Sequence, residues 1–473
     1  MAAASTACAG CRQRDRRIAE LEAELDKLRQ QLAQDERAQN RQAQPFRREQ
    51  SAEHPKKPGR RKGHKADLRP VPTPDQIDRI VDVPLDECPM CQAPLFDQSV
   101  VVQYQTDLPP IVPIITQFNI ATGYCSCCRQ YWQGRHPEQT SDAIGATGNT
   151  LGPVVLTMAA EMKHRFGVSY RKICDFLQTY AQLRVCPATF IRAEQRLADL
   201  ARPTYDLILE ALRQSHVVHA DETGWRVGRR NAWLWVFSSK VATVYVIRTG
   251  KGARGQHVPQ DILGPGFDGY LVVDGLKTYD VLEVLKGRCN GHLLRRCHKL
   301  RDTVPTKEQK HIQALSDLLK EAIALANRRD ELKAENFANS VQDIEDRLDA
   351  WLEANLHQQP CSADLDRLDT HVRAHRGEWL TFLHDPEVPP TNNHAEQMLR
   401  PAVITRKVGG CNKSLLGALV HGILSSVMVT CHRRGKRFLD LARQLWQSSE
   451  PQAIAVETLP DAIKAEPVPQ NTG

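Results

Sequence analysis

The chain has 473 residues, with 63 Lys+Arg against 56 Asp+Glu for a formal charge of +7. That length exceeds a single compact core and calls for several domains. With neither an apolar run of transmembrane length nor an N-terminal signal with an apolar core, the chain is expected in a reducing interior, off the membrane. There its fourteen cysteines point to metal sites more than to disulfides.

Residues 12–40 lack Gly and Pro, and Ile18, Leu21, Leu25, Leu28 and Leu32 recur at steps of three and four. This is the seam of a short coiled coil, so self-association is expected. Residues 41–75 are polar and Pro/Gly-punctuated, and carry Arg41, Arg47, Arg48, Lys56, Lys57, Arg60, Arg61, Lys62 and Lys65 against Glu49 and Glu53. A tract so basic suits a polyanion and reads as a flexible DNA-binding arm.

Within 76–140, Cys88-Pro-Met-Cys91 and Cys125-Ser-Cys-Cys128 are two CxxC pairs separated by 33 residues. The segment between them reads as strands, so the expectation is a zinc ribbon in which Cys88, Cys91, Cys125 and Cys128 bind one Zn²⁺. Cys127 is a spare thiol, and Cys8-Ala-Gly-Cys11 is a third CxxC whose partner pair would have to come from a second copy of the chain.

Residues 150–205 read as helices, with Ser169 and Thr189 as N-caps. The stretch fits either a helix-turn-helix that binds DNA or a helical brace under the next domain. From about 206 to 304 the pattern becomes three antiparallel strands (SHVVHADETGW, AWLWVFSS, TVYVIRTG), a helix near Gln256–Leu263, the strand GYLVVDG and a helix from Tyr279. Residues 305–385 are Leu-, Ala-, Glu- and Lys-rich at helical spacing and read as an inserted helical domain. Residues 386–450 complete the core with a basic block, and 451–473 read as a disordered tail.

Asp221 ends one apolar run, Asp274 ends another, and Glu396 lies in a turn entering a helix. Converging carboxylates repel one another unless a cation neutralises them, and oxygen-only ligands favour Mg²⁺ or Mn²⁺ over Zn²⁺. Singly, each acid has an ordinary reading as a turn former or cap partner. Glu222 and Asp280 are reserve candidates, and His394 reads as a solvent-facing turn residue. Trp233 and Trp235 share a strand face and read as core. Lys407, Lys413, Arg433, Arg434, Lys436 and Arg437 form a basic block suited to phosphate contacts.

HADETGW, VVDGLKTYD, CNGHLLRRCHKLRD and PPTNNHAEQMLRPAVITRKVGG, in this order and spacing, resemble the insertion-sequence-66 family of transposases. The resemblance implies an α+β multidomain protein whose catalytic core is RNase H-like α/β, interrupted by the helical insertion. It implies Asp221, Asp274 and Glu396 as a DDE triad for metal-dependent cleavage and strand transfer at the terminal inverted repeats of an insertion sequence. It further implies terminal-repeat and target DNA as partners, pairing of ends through a homodimer or DNA-induced oligomer, and accessory proteins of the same element. Cys289 and His292 match a Cys-x-x-His block followed by paired arginines, Arg295 and Arg296, although Asn290 stands where the family often has Trp. Arg295, Arg296, Arg400, Lys407 and Lys413 join the basic arm as DNA-binding candidates. The competing expectation is a DNA-binding protein whose carboxylates are vestigial.

Overall fold

The computed structural model describes Arg17 and residues 69–96, 99–145, 148–301, 303–354, 362–448 and 450–462. The coiled coil, Cys8, Cys11 and the basic-arm residues Lys56, Lys57, Arg60, Arg61, Lys62 and Lys65 lie outside the described residues.

The chain divides into two units, residues 1–100 and 101–473. In the first, the Cys88 amide donates to the Ala93 carbonyl (2.9 Å), and Glu87 bridges Pro94, closing a tight turn around the first CxxC. The second opens with a segment expected to be strands. Residues 99–121 carry no regular structure, and strand β1 (Thr122–Cys125) begins only beside the second CxxC, pairing antiparallel with β2 (Gln130–Gln133). Pro109, Pro110 and Pro113 each remove an amide that a central strand needs.

Three helices follow: α1 (Pro153–His164), α2 (Tyr170–Ala181) and α3 (Pro187–Arg213). Ser169 caps α2, its hydroxyl accepting the Lys172 amide (3.4 Å). Thr189 lies inside α3, whose N-cap is Cys186, because Pro187 supplies the fixed φ that suits a first helical position. Buried side chains of all three helices share one core with the central sheet.

A five-stranded sheet occupies the centre: β3 (Val217–Val227), β4 (Arg230–Ser238), β5 (Thr243–Thr249), then α4 (His257–Leu263), β6 (Tyr270–Val273) and β7 (Leu285–Arg288). Its order is β5-β4-β3-β6-β7, antiparallel for the first three and parallel from β3 through β7. Gly228, at φ +58°, allows the two-residue turn between β3 and β4. The helix expected from Tyr279 is instead a single 3₁₀ turn ending at Tyr279, followed by β7. β7 reads Leu-Lys-Gly-Arg, too polar and too short to announce itself as a strand, and becomes one because β6 offers an edge.

Helix α5 (Asn290–Arg301) leads into α6 (Thr306–Asn327), α7 (Ala334–Glu353), α8 (Ala363–Ala374) and α9 (Thr381–His384), which form a separate core. Helix α10 (Asn393–Gly409) lies over one face of the sheet. Helix α11 (Leu415–Arg433) runs along β5, and α12 (Phe438–Gln447) closes against α1 and α3.

Helix α11 is apolar enough, and long enough, to cross a membrane, yet 67% of its most apolar window is buried inside the protein. Its role is to seal the β5 edge. The Tyr245 amide donates to Ser426 Oγ (2.8 Å) and the Thr243 amide to Thr430 Oγ1 (3.0 Å), so edge amides that would invite another strand are satisfied by a helix. Gly422, one turn before Ser426, permits this approach, because a Cβ there would stand 2.9 Å from the Tyr245 carbonyl oxygen. Gly422→Ala should therefore destabilise the protein by about 1–3 kcal/mol despite its better helix propensity. Urea unfolding checks this; a more stable variant would mean that the helix has room to move.

The tail expected to be disordered is partly docked. Ile454, Val456 and Leu459 are buried in the main core, the Ile454 amide donates to Thr204 Oγ1 (3.0 Å), and Lys436 pairs with Asp461 (2.9 Å). Apolar residues at this spacing find a groove beside α3 that no local pattern reveals.

Candidate active site

Alternation along β3 puts His219, Asp221 and Thr223 on the face that α10 covers. His219 Nδ1 lies 3.1 Å from Asn392 Oδ1 at the start of α10, and Arg406 Nη1 near its end donates to Thr223 Oγ1 (2.9 Å). Asp221 sits between these two tethers. It is not at a strand end, since β3 runs six residues further to Val227; polar Thr223 and Arg226 conceal that continuation.

The parallel ladder pairs Val217 with Tyr270 and His219 with Val272. Continued two residues past the last pair, the same register would bring Asp274 opposite Asp221, and the charge of Asp274 does act on the Asp221 carboxyl. Asp274 leaves β6 in a turn in which its Oδ1 accepts the Leu276 amide (2.9 Å). Glu396 is in the first turn of α10, its amide bonded to the Asn392 carbonyl.

Burial pushes the Asp221 carboxyl up to about 7, reinforced by the negative charges of Glu222, Asp274 and Glu396 and opposed by its bond from the Glu222 amide (2.8 Å). The three acids therefore share one field. Among the described residues, however, no three His, Cys, Asp or Glu side chains stand in metal-coordinating geometry. Glu396 Oε1 is engaged by Arg295 Nη2 (3.2 Å), with His292 Nε2 at 3.8 Å.

Several groups whose supporting role the sequence did not show hold this arrangement. Asn392 is 1% exposed. Its Nδ2 donates to the Ala220 carbonyl (2.7 Å) and its amide to Cys289 Sγ (3.2 Å), so one side chain pins the Glu396 helix to the backbone beside Asp221. Cys289 is buried, and its amide donates to the Val273 carbonyl (2.9 Å), which joins the end of β6 to α10. Burial opposes ionisation of the Cys289 thiol, but bonds from His292 and the Asn392 amide leave its pKa lowered overall. These contacts make Cys289 a junction between elements.

Arg288 is fully buried. Its guanidinium bonds Asp280, Glu378 Oε2 (2.5 Å) and the carbonyl of Asp274 (3.0 Å), holding the Asp274 turn from behind. No sequence signal marked Arg288, which ends the polar run Leu-Lys-Gly-Arg.

The reserve acids are accounted for by these contacts. Glu222 faces the opposite side of the sheet, where Arg254 Nη2 (2.7 Å) and the Tyr279 hydroxyl (3.1 Å) bond it, and Asp280 belongs to Arg288. Contrary to expectation His394 is not solvent-facing: its Nε2 meets Ser238 Oγ (3.0 Å) and its ring packs on His219. Trp235 is fully buried, in T-shaped contact with Tyr279, as a core residue.

The basic candidates separate by exposure. Arg295, Arg400, Lys407 and Lys413 are exposed, whereas Arg296 is partly buried and burial lowers its pKa. Arg433 donates to Ser238 Oγ (2.8 Å) and Thr243 Oγ1 (2.7 Å), Lys436 pairs with Asp461, and Arg437 with Asp440 (2.8 Å). Arg433 thereby ties α11 to the β4–β5 turn, and Lys436 ties the chain after α11 to the C-terminal segment.

The two CxxC turns lie in different units of the chain. At Cys88, the amides of Met90 and Cys91 and the Cys91 thiol lower the pKa; at Cys125, the Cys128 amide, the Cys128 thiol and the Cys127 amide do the same. Each turn thus presents a pair of adjacent thiols with backbone amides aimed at the first, the local form of a thiolate knuckle.

Comparison with known proteins places these features in context. The "Uncharacterized protein y4qI" of Sinorhizobium fredii (strain NBRC 101917 / NGR234) is 24% identical over 306 residues, 54% of this chain; the chain thus spans about half (54%) of that relative's length. The transposase IS66 family matches residues 148–419, an interval that contains Asp221, Asp274, Glu396 and every element that positions them. The chain belongs to the transposase IS66 family.

Proposed function

We propose that the chain is a DDE transposase with an RNase H-like core, in which Asp221, Asp274 and Glu396 hold Mg²⁺ or Mn²⁺ for cleavage and strand transfer at the ends of an insertion sequence. The observation that carries this reading is the field shared by the three acids: the charges of Asp274 and Glu396 both act on the buried Asp221 carboxyl, in line with the β3/β6 register. The sheet order β5-β4-β3-β6-β7, with three antiparallel strands followed by two parallel ones, supports the core assignment.

The donor set fits a hard divalent cation: all ligands are carboxylates, and the raised pKa of Asp221 marks negative charge in need of neutralisation. Bound there, the metal would supply charge stabilisation to the attacking and leaving oxygens of an in-line displacement at phosphorus. The chain's own contribution is placement. Asp221 on the central strand serves both neighbours, Asp274 is set by Arg288 and the Leu276 amide, and Glu396 is set by Asn392. Exposed Arg295, Arg400, Lys407 and Lys413 are suited to the phosphate backbone, which positions DNA without reading sequence. Zn²⁺ on Cys88, Cys91, Cys125 and Cys128 is proposed as a structural centre of the N-terminal region, and pairing of two element ends by two copies of the chain follows from the same reading. The protein would then act in the bacterial cytoplasm, at the nucleoid.

The test is incubation of the full chain with Mn²⁺ and a duplex carrying the DNA that flanks its reading frame. Nicking or joining at the element ends is expected, with Asp274→Ala slower by about 10³-fold or more. Undiminished cleavage by Asp274→Ala would remove Asp274 from the catalytic set.

A further inference from the structure

We infer that Arg295 is a substrate-displaced latch on Glu396: a DNA phosphate arriving on the cationic face of α5 takes the Arg295 guanidinium and releases Glu396 to join the two aspartates. The inference rests on the metal-site reading above and adds how DNA would complete that site.

Glu396 is the one member of the three whose carboxylate is held by cations, Arg295 at 3.2 Å and His292 at 3.8 Å. Among the described residues, Asp221 and Asp274 accept only backbone amides of near neighbours, those of Glu222 and Leu276. The latch is accessible, since the Arg295 side chain is 58% exposed and that of Glu396 35%. An ion pair so exposed is weak, and a phosphodiester offers the same guanidinium a bidentate partner within a field of further phosphates.

A second observation shows where that phosphate would come from. Arg295 also lines a cleft of about 300 Å³ between α5 and α6, with Leu294 and Ile312 on its apolar side and His298, Arg301 and Lys320 around it. The guanidinium groups of Arg295 and Arg301 beside an apolar floor suit a sugar-phosphate segment, whose charge is on the rim and whose sugar and base are less polar. Arg295 therefore stands where that cleft meets the active face, in reach of either anion. A nucleic-acid strand in the cleft and a carboxylate on α10 compete for one guanidinium.

The experiment is a double-mutant cycle on the full chain, measuring binding of a fluorescent 20-base-pair duplex in chelator by anisotropy. Glu396→Gln frees Arg295 and should tighten duplex binding about threefold, the worth of an exposed ion pair. In an Arg295→Ala background the same change should have no effect. An equal gain in both backgrounds would mean that Glu396 merely repels DNA, and the latch would be wrong. Mn²⁺ binding without DNA, followed by calorimetry, supplies the other arm. Arg295→Ala should bind Mn²⁺ about threefold more tightly than the unmodified chain, and unchanged or weaker binding overturns the latch. If Asp221→Ala binds Mn²⁺ as well as the unmodified chain does, the metal-site reading has failed and takes the calorimetric arm with it. The duplex cycle still decides the exchange of Arg295.

Discussion

Asp221→Asn should make the metal-free protein more stable at pH 8 while abolishing any metal-dependent activity. Burial and neighbouring acids raise this carboxyl from its ordinary 3.8 to about 7. A raised carboxylate favours the folded state only while it is protonated. Its contribution is therefore intact below about pH 4, declines between about 4 and 7, and above 7 becomes a penalty of about 2–4 kcal/mol. The asparagine variant escapes that penalty, so its advantage should be largest at pH 8 and vanish near pH 4. Thermal unfolding in chelator across that range measures it. Added Mn²⁺ should reverse the order, because only the carboxylate gains binding energy from the cation. A variant less stable than the parent at pH 8 would show the Asp221 carboxylate to be a structural group of β3. Stability lost to retain a charge is the mark of a functional site and distinguishes it from a merely well-placed acid.

Arg288→Ala should be among the most damaging substitutions outside the acids themselves, at about 3–5 kcal/mol. It would leave Asp280 and Glu378 facing each other without their shared cation, and the Asp274 carbonyl without its donor. Arg288→Lys should recover only part of the loss, because one ammonium cannot reproduce three separately directed bonds. Urea unfolding reads the stability, and calorimetry of Mn²⁺ binding by the lysine variant reads the effect on the Asp274 turn. A loss under about 1 kcal/mol for the alanine variant would mean that water replaces the guanidinium readily.

Of the candidate site, the acids were visible in the sequence and their supports were not. Asp221 and Asp274 each follow an apolar run, and that pattern is local. Asn392 was visible as part of a turn, but its value lies in reaching the Ala220 carbonyl, 172 residues away, and the Cys289 sulfur, 103 residues away. His394 looked like a turn residue because the strand that buries it is remote in sequence. Arg433 and Lys436 looked like phosphate ligands because composition cannot tell a cation facing solvent from one bonded to a strand turn or to a docked tail.

Alone, the sequence determined the element types wherever periodicity was strong: the three antiparallel strands, the helix before β6, and the helices of residues 305–385. These follow from side-chain spacing along one segment, which a linear string contains. It also carried the motif order that marks the transposase IS66 family. Tertiary structure decided what depends on partners. β7 became a strand because β6 had a free edge, residues 99–121 found no ladder, Ile454, Val456 and Leu459 found a groove, and α11, apolar enough for a membrane, was drawn onto β5 through Gly422, Ser426 and Thr430. Hydrogen bonds and burial are properties of pairs, and for these residues the other member of the pair lies far along the chain.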